Sequence, residues 1–197
     1  MPNWCTNHLN IEGEGANKFI EACYGYQPLY KEDINPNKSL SDQYGDKVFT
    51  MNALYPVPKE VLEAGYSNHA EGVTDGYHWQ TDNWGTKWDF SDPDIYVDGD
   101  SHAYINFDSA WSPPIGWVVH VAKQFPELTF TLEYYEPGMG FAGRFTVTGE
   151  EVNDDYYDYS RDEKAYKTFV AEELEYGWEE FEGWEDDDEL EETVVAE

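Results

Sequence analysis

The chain has 197 residues, 17% of them aromatic, and a mean hydropathy of -0.75; that suits one packed domain with an appendage and leaves no apolar run of the roughly 18 residues a membrane span needs. Its 42 acidic side chains against 11 basic ones give a net charge of -31, which repels a phosphate backbone and argues against direct nucleic-acid binding. Two cysteines without paired histidine spacing, and a Met1-Pro2-Asn3-Trp4-Cys5 start without a charged-then-apolar leader, point to a cytoplasmic protein with free thiols, no zinc site and no signal peptide.

Residues 4–11 alternate, with Cys5, Leu9 and Ile11 on one side, interrupted by Asn7, and Trp4, Thr6, His8 and Asn10 on the other. That is the pattern of a strand with one buried face. Gly13-Glu14-Gly15 ends it, and Phe19, Ile20 and Cys23 recur at helical spacing. A Gly-x-Gly between strand and helix can cradle phosphate, but Glu12 and Glu14 would repel an anion, so a turn is expected. Residues 25–80 read as an irregular insertion, broken by Asn35-Pro36-Asn37 and Tyr44-Gly45-Asp46. Pro56 to Leu62 feeds a short helix, and residues 64–78 are expected to be loop, carrying His69 and His78.

After Trp88 the chain turns at Ser91 to Asp94, extends through Val97, and turns again at Asp98-Gly99-Asp100, a hairpin signal. The return strand runs from His102 to Asp108. Ser112 is expected to cap a helix that begins at Pro113, with Ile115, Val118, Val119, Ala122 and Phe125 on one stripe. Residues 128–135 alternate, and Glu136 to Gly140 turns the chain into a strand from Phe141 to Thr148. The order strand, helix, strand, strand, helix, strand predicts an α+β domain over 1–149. It has a ferredoxin-like split βαβ antiparallel sheet with helices on one face, plus one added strand. Residues 150–197 carry 21 acidic and 3 basic side chains and read as an acidic C-terminal helix and tail. Ser160 to Glu163 fits a capping box, and Tyr166, Phe169, Val170, Leu174, Trp178 and Phe181 form a stripe that must dock on the domain or on a second copy in a homo-oligomer. The remainder, from Glu182, is expected to be disordered.

Three separated segments carry a resemblance: Met1 to Leu9, Trp84-Gly85-Thr86-Lys87-Trp88-Asp89, and Phe107-Asp108-Ser109-Ala110-Trp111-Ser112-Pro113-Pro114. Together they resemble the YubB-like family with a ferredoxin-like domain, found on phages and plasmids. The resemblance covers roughly residues 1–149. It implies the fold and a mobile-element origin, and brings no catalytic residues with it.

The segment His78 to Asp89 holds three tryptophans, a histidine and a lysine, and the Trp111-Ser112 segment is expected to face it. Trp79, Trp84, Trp88 and Trp111 would line a pocket. Indole faces stack nucleobases at about 1–3 kcal/mol each, with Lys87 or Arg144 pairing a phosphate. The expected ligand set is His78, Trp79, Trp84, Thr86, Lys87, Trp88, Trp111, Ser112 and Arg144. The bland alternative has these tryptophans stapling a loop, with Lys87 paired to Asp89 or Asp108. Asp89, Asp108, Glu133 and Glu136 with His78 could supply acid and base, but their spacing fixes no pair. No cofactor, metal or catalytic residue is expected. Two functions follow: a non-enzymatic counter-defence protein that sequesters a small nucleotide, or an acidic DNA mimic that blocks a basic host protein.

Overall fold

A computed structural model describes residues 3–174 apart from His69. Its first strand, β1 (Trp4–Glu12), buries Cys5, Asn7, Leu9 and Ile11 on one side, and the polar interruption is satisfied there. The Asn7 amide donates to the Cys5 carbonyl at 2.7 Å and to the Ser109 hydroxyl at 2.8 Å. Next comes α1 (Ala16–Ala22), which buries Phe19 and Ile20. The insertion that follows holds a two-residue pair, β2 (Tyr24–Gly25) with β3 (Val48–Phe49), and three short helices: α2 (Leu40–Tyr44), α3 (Lys59–Ala64) and α4 (Gly76–Asn83).

The second half runs β4 (Ser91–Asp98), β5 (His102–Ala110), α5 (Ile115–Gln124), β6 (Thr129–Glu136), β7 (Phe141–Thr148) and β8 (Glu151–Asp158). It ends with α6 (Glu163–Thr168) and a wider turn over Phe169–Glu173. The large sheet has the order β4-β5-β1-β6-β7-β8, every neighbour antiparallel. Strands β4, β5, β1 and β6 with α1 and α5 are the ferredoxin-like unit. Phe19 from α1 and Trp117, Val118 and Val121 from α5 share one core with Leu9, Ile11, Ile105, Phe130 and Leu132 of the sheet.

Three expectations need correcting. Residues 151–158, expected to lie outside the 1–149 domain with the acidic helix and tail, are the sixth strand of its sheet, paired to β7 along their whole length. Gly149, at φ 58°, opens a two-residue hairpin there, and an edge strand leaves its carboxylates in water. Helix α5 begins at Ile115 without a side-chain cap, because the Ser112 hydroxyl is spent on the Gly85 carbonyl at 2.5 Å. Residues 76–83 form α4 where loop was expected, with Asp75 as its cap. Similarly α6 is capped by Asp162, whose carboxylate accepts from the Ala165 N–H at 2.9 Å.

The aromatic stripe of the C-terminal segment docks on the sheet of its own chain. Tyr166, Phe169, Val170 and Leu174 pack on Tyr135 and Ala142, the face opposite α1 and α5. That covers the outer face over β6 and β7. Trp178, Phe181 and the acidic tail from Glu182 lie outside the described residues.

Candidate functional site: an aromatic platform at one end of the sheet

The two tryptophan-rich segments meet backbone to backbone. A Cβ on Gly116 would sit 2.3 Å from the Asn83 carbonyl oxygen, and one on Gly85 would sit 3.0 Å from the Pro113 oxygen. Only glycine at both places lets the chain approach this closely. The clamp is then hydrogen-bonded: the Trp117 N–H donates to the Trp84 carbonyl at 3.1 Å, and the Thr86 hydroxyl donates to the Ala110 carbonyl at 3.1 Å. Trp84 is fully buried, and its indole N–H donates to the Tyr55 carbonyl at 2.9 Å. Trp79 packs edge-on against it, with ring centroids 5.9 Å apart.

Beyond Gly85, which has φ 90°, Thr86 is still buried, and Lys87 and Trp88 are the first side chains to reach solvent. Trp88 and Trp111 are 38% and 41% exposed. The Lys87 ammonium stands over both, 4.3 Å from the Trp88 ring centre and 5.4 Å from that of Trp111. A third half-exposed indole, Trp4, lies 5.9 Å from Trp88 at an interplanar angle of 50°. Trp111 holds a left-handed backbone, φ 74°, with its N–H donating to the Asn3 carbonyl at 3.0 Å. A bulky residue in that region carries of order 1–3 kcal/mol of strain, and such strain concentrates at functional sites.

Lys87 pairs with no carboxylate among the described residues. Its sequence neighbour Asp89 is engaged inward, accepting from the Thr50 hydroxyl and, at 2.8 Å each, from the Met51 and Phe90 N–H groups. Burial pushes the Asp89 carboxyl up, against the pull of those three hydrogen bonds. Asp89 therefore staples the insertion to the sheet and leaves Lys87 alone.

The expected ligand set divides accordingly. Lys87, Trp88 and Trp111 form the exposed platform, while Trp84 and Thr86 are buried clamp residues that no ligand reaches. Trp79 packs against the core. The four expected indoles do not line a shared pocket, because the turn at Gly85 sends them in two directions. Ser112 belongs to the clamp. His78 is held by Asp75, its Nδ1 2.7 Å from the carboxylate. Arg144 is withdrawn from the set: it pairs with Glu133 at 2.6 Å on the covered half of the sheet, with its guanidinium 5.6 Å from the Phe169 ring. The acid–base candidates are likewise scattered, since Glu136 accepts from the N–H groups of Gly138 and Met139 in a turn. Among the described residues no group of three or more His, Cys, Asp or Glu is placed to hold a metal ion.

Sequence reasoning missed Trp4. The signal was there: the antiparallel register puts Trp4 opposite Ala110, next to Trp111. It also missed Tyr30, Glu32, Asp33 and Tyr66, which with Trp88 line an open groove of about 410 Å3. The Tyr66 hydroxyl donates to the Lys87 carbonyl at 2.9 Å and ties this groove to the motif. No described helix is long and apolar enough to cross a membrane.

Comparison with known proteins agrees on the fold. The family model described as the ferredoxin-like domain in Api92-like protein matches residues 83–190, reaching past residue 149, where the resemblance in the sequence stops. The crystal structure of a protein api92 from Yersinia pseudotuberculosis is similar, with a TM-score of 0.57, over 81% of this chain and 98% of that one. The two are 12% identical, so the likeness is one of fold. No curated protein matches the chain.

Proposed function

From the premise that this chain belongs to the family of Api92-like proteins with a ferredoxin-like domain, we propose that it is a non-enzymatic binder of a small nucleotide. The carrying observation is Lys87: in a chain of net charge -31, its ammonium stands over two half-exposed indoles with no carboxylate partner among the described residues. A planar base stacks on an indole and a phosphate meets the ammonium, which is what a compact anionic nucleotide offers. A polymer would bring further phosphates against the acidic surface. The role is sequestration: a YubB-like, phage- or plasmid-encoded protein in the host cytoplasm that removes a nucleotide signal of an antiviral response. Calorimetry of the full chain against a panel of cyclic di- and trinucleotides tests it. At least one is expected to bind at micromolar affinity or better, and to lose at least tenfold in Lys87→Gln. A panel with no micromolar binder overturns the reading.

A second reading, mimicry of DNA toward a basic host protein, is favoured by β8, which sets Glu151, Asp154, Asp155 and Asp158 along one edge of the large sheet. Truncation at residue 149 would strip the cover from Tyr135 and Ala142 and damage the fold. Replacing those four carboxylates by amides is the cleaner test. Undiminished inhibition of every DNA-binding enzyme that the parent chain inhibits would end this reading.

A further inference from the structure

The groove beside Trp88 has the opposite character to the platform. Its lining is three aromatic residues, Tyr30, Tyr66 and Trp88, and two carboxylates, Glu32 and Asp33. Tyr30 and Tyr66 meet edge to face, with ring centroids 5.4 Å apart. Glu32 is fixed in place, accepting from the Tyr66 N–H at 2.6 Å. The Asp33 carboxylate is exposed and has no partner among the described residues. Among the described residues no cationic side chain lines the groove itself: Lys31 is tied to the Ala64 carbonyl, and the Lys87 ammonium stands over the Trp88 ring at the groove's margin, 4.3 Å from its centre. Aromatic rings with adjoining carboxylates attract a cation through both the ring quadrupole and direct charge.

We propose that this groove seats an arginine side chain of a basic protein partner, stacked on Trp88 and paired with Asp33. Guanidinium fits better than ammonium because it is planar and weakly hydrated. It stacks on a ring while bonding a carboxylate in its own plane. A partner protein fits better than a free cation on two grounds. The groove is open and buries a small ion on one side only, whereas a net charge of -31 draws a basic surface as a whole. This site goes beyond the nucleotide reading while sharing Trp88 with it, and its success or failure is measured without any nucleotide.

The test is a double-mutant cycle on the full chain, read by the NMR signal of the Trp88 indole N–H and by titration. The probe is an eight-residue peptide with one arginine among lysines, against the same peptide with citrulline. Loss of the one guanidinium is expected to weaken binding about fivefold, and Asp33→Asn to weaken the arginine peptide by as much. The citrulline peptide should not distinguish Asp33→Asn from the parent chain, because the two changes remove the same contact. Glu63→Gln, on the exposed end of α3, should show no coupling to the arginine. Equal binding of both peptides, or additive losses across the cycle, overturns the proposal. So does coupling of Glu63 as strong as that of Asp33, since the attraction is then diffuse. Guanidinium chloride binding as tightly as the peptide would assign the groove to a free cation and overturn the partner.

Discussion

Trp84 and Trp88 stand four residues apart in one short stretch, and the protein uses them in opposite ways. Trp84 is buried without remainder and hydrogen-bonded through its indole to Tyr55, while Trp88 keeps 38% of its surface in water beside a lysine. Composition does not separate them: both are flanked by Asp, Asn, Gly, Thr or Lys. The backbone does. A single left-handed glycine, Gly85, turns the chain between them, and the bare Cα of Gly116 lets the first half of the motif sink against α5. The same residue type thus holds the fold together on one side of a turn and offers a surface on the other.

The largest expected effect sharpens this contrast directly. Trp84→Ala should cost about 3–5 kcal/mol, the penalty for emptying a large core site, and Trp88→Ala about 1 kcal/mol or less. Urea denaturation of both variants checks it, and similar costs would refute the division. Next, Gly116→Ala drives a methyl group into the Asn83 carbonyl and should lose about 1–3 kcal/mol through forced backbone shifts. A melting temperature unchanged from the parent would show that the two segments are not in the close contact described.

A smaller effect concerns the cap that starts α4. Burial works to raise the Asp75 carboxyl, but the N–H groups of His78 and Asn68 and the His78 ring outweigh it and hold it below the usual carboxylate range. A depressed carboxyl stabilises the fold only while it is ionised. Asp75→Ala should therefore cost about 1 kcal/mol at neutral pH, and the gap from the parent should close as acid protonates the native carboxylate. Denaturant midpoints taken from neutral pH downward measure it, and a gap that widens in acid contradicts the assignment. The smallest change in stability belongs to Lys87→Gln, within about 0.5 kcal/mol as for an ordinary surface site, although it should produce the full loss of nucleotide affinity.

The sheet was legible in the sequence where burial has a strict period. Cys5, Leu9 and Ile11 on β1 announce one buried face, and the stripe of α5 does so in part. Val118 and Ala122 are buried as expected, but the face is completed by Trp117 and Val121, with Ile115, Val119 and Phe125 only partly buried. Strand β8 was not legible, because none of its residues is buried and its carboxylates read as a solvated run. Helix α4 was missed for a related reason: it buries only Gly76 and Gln80 and shows no apolar stripe. The platform was half legible. Residue type marked Lys87, Trp88 and Trp111, but which indoles turn outward depends on Gly85, and Trp4 joins them only through strand register. Lys87 has no such local determinant. Its freedom follows from Asp89 being recruited by Thr50 and Met51, some forty positions earlier in the chain.

Strands β6 and β7 stand between β1, where Trp4 starts, and the carboxylate-bearing margin at β8. Three strand spacings put that margin about 14 Å away across the sheet. A nucleotide on the platform and a basic surface on that margin would touch different residues, whereas a partner whose arginine enters the groove at Trp88 would contend with the nucleotide for that ring.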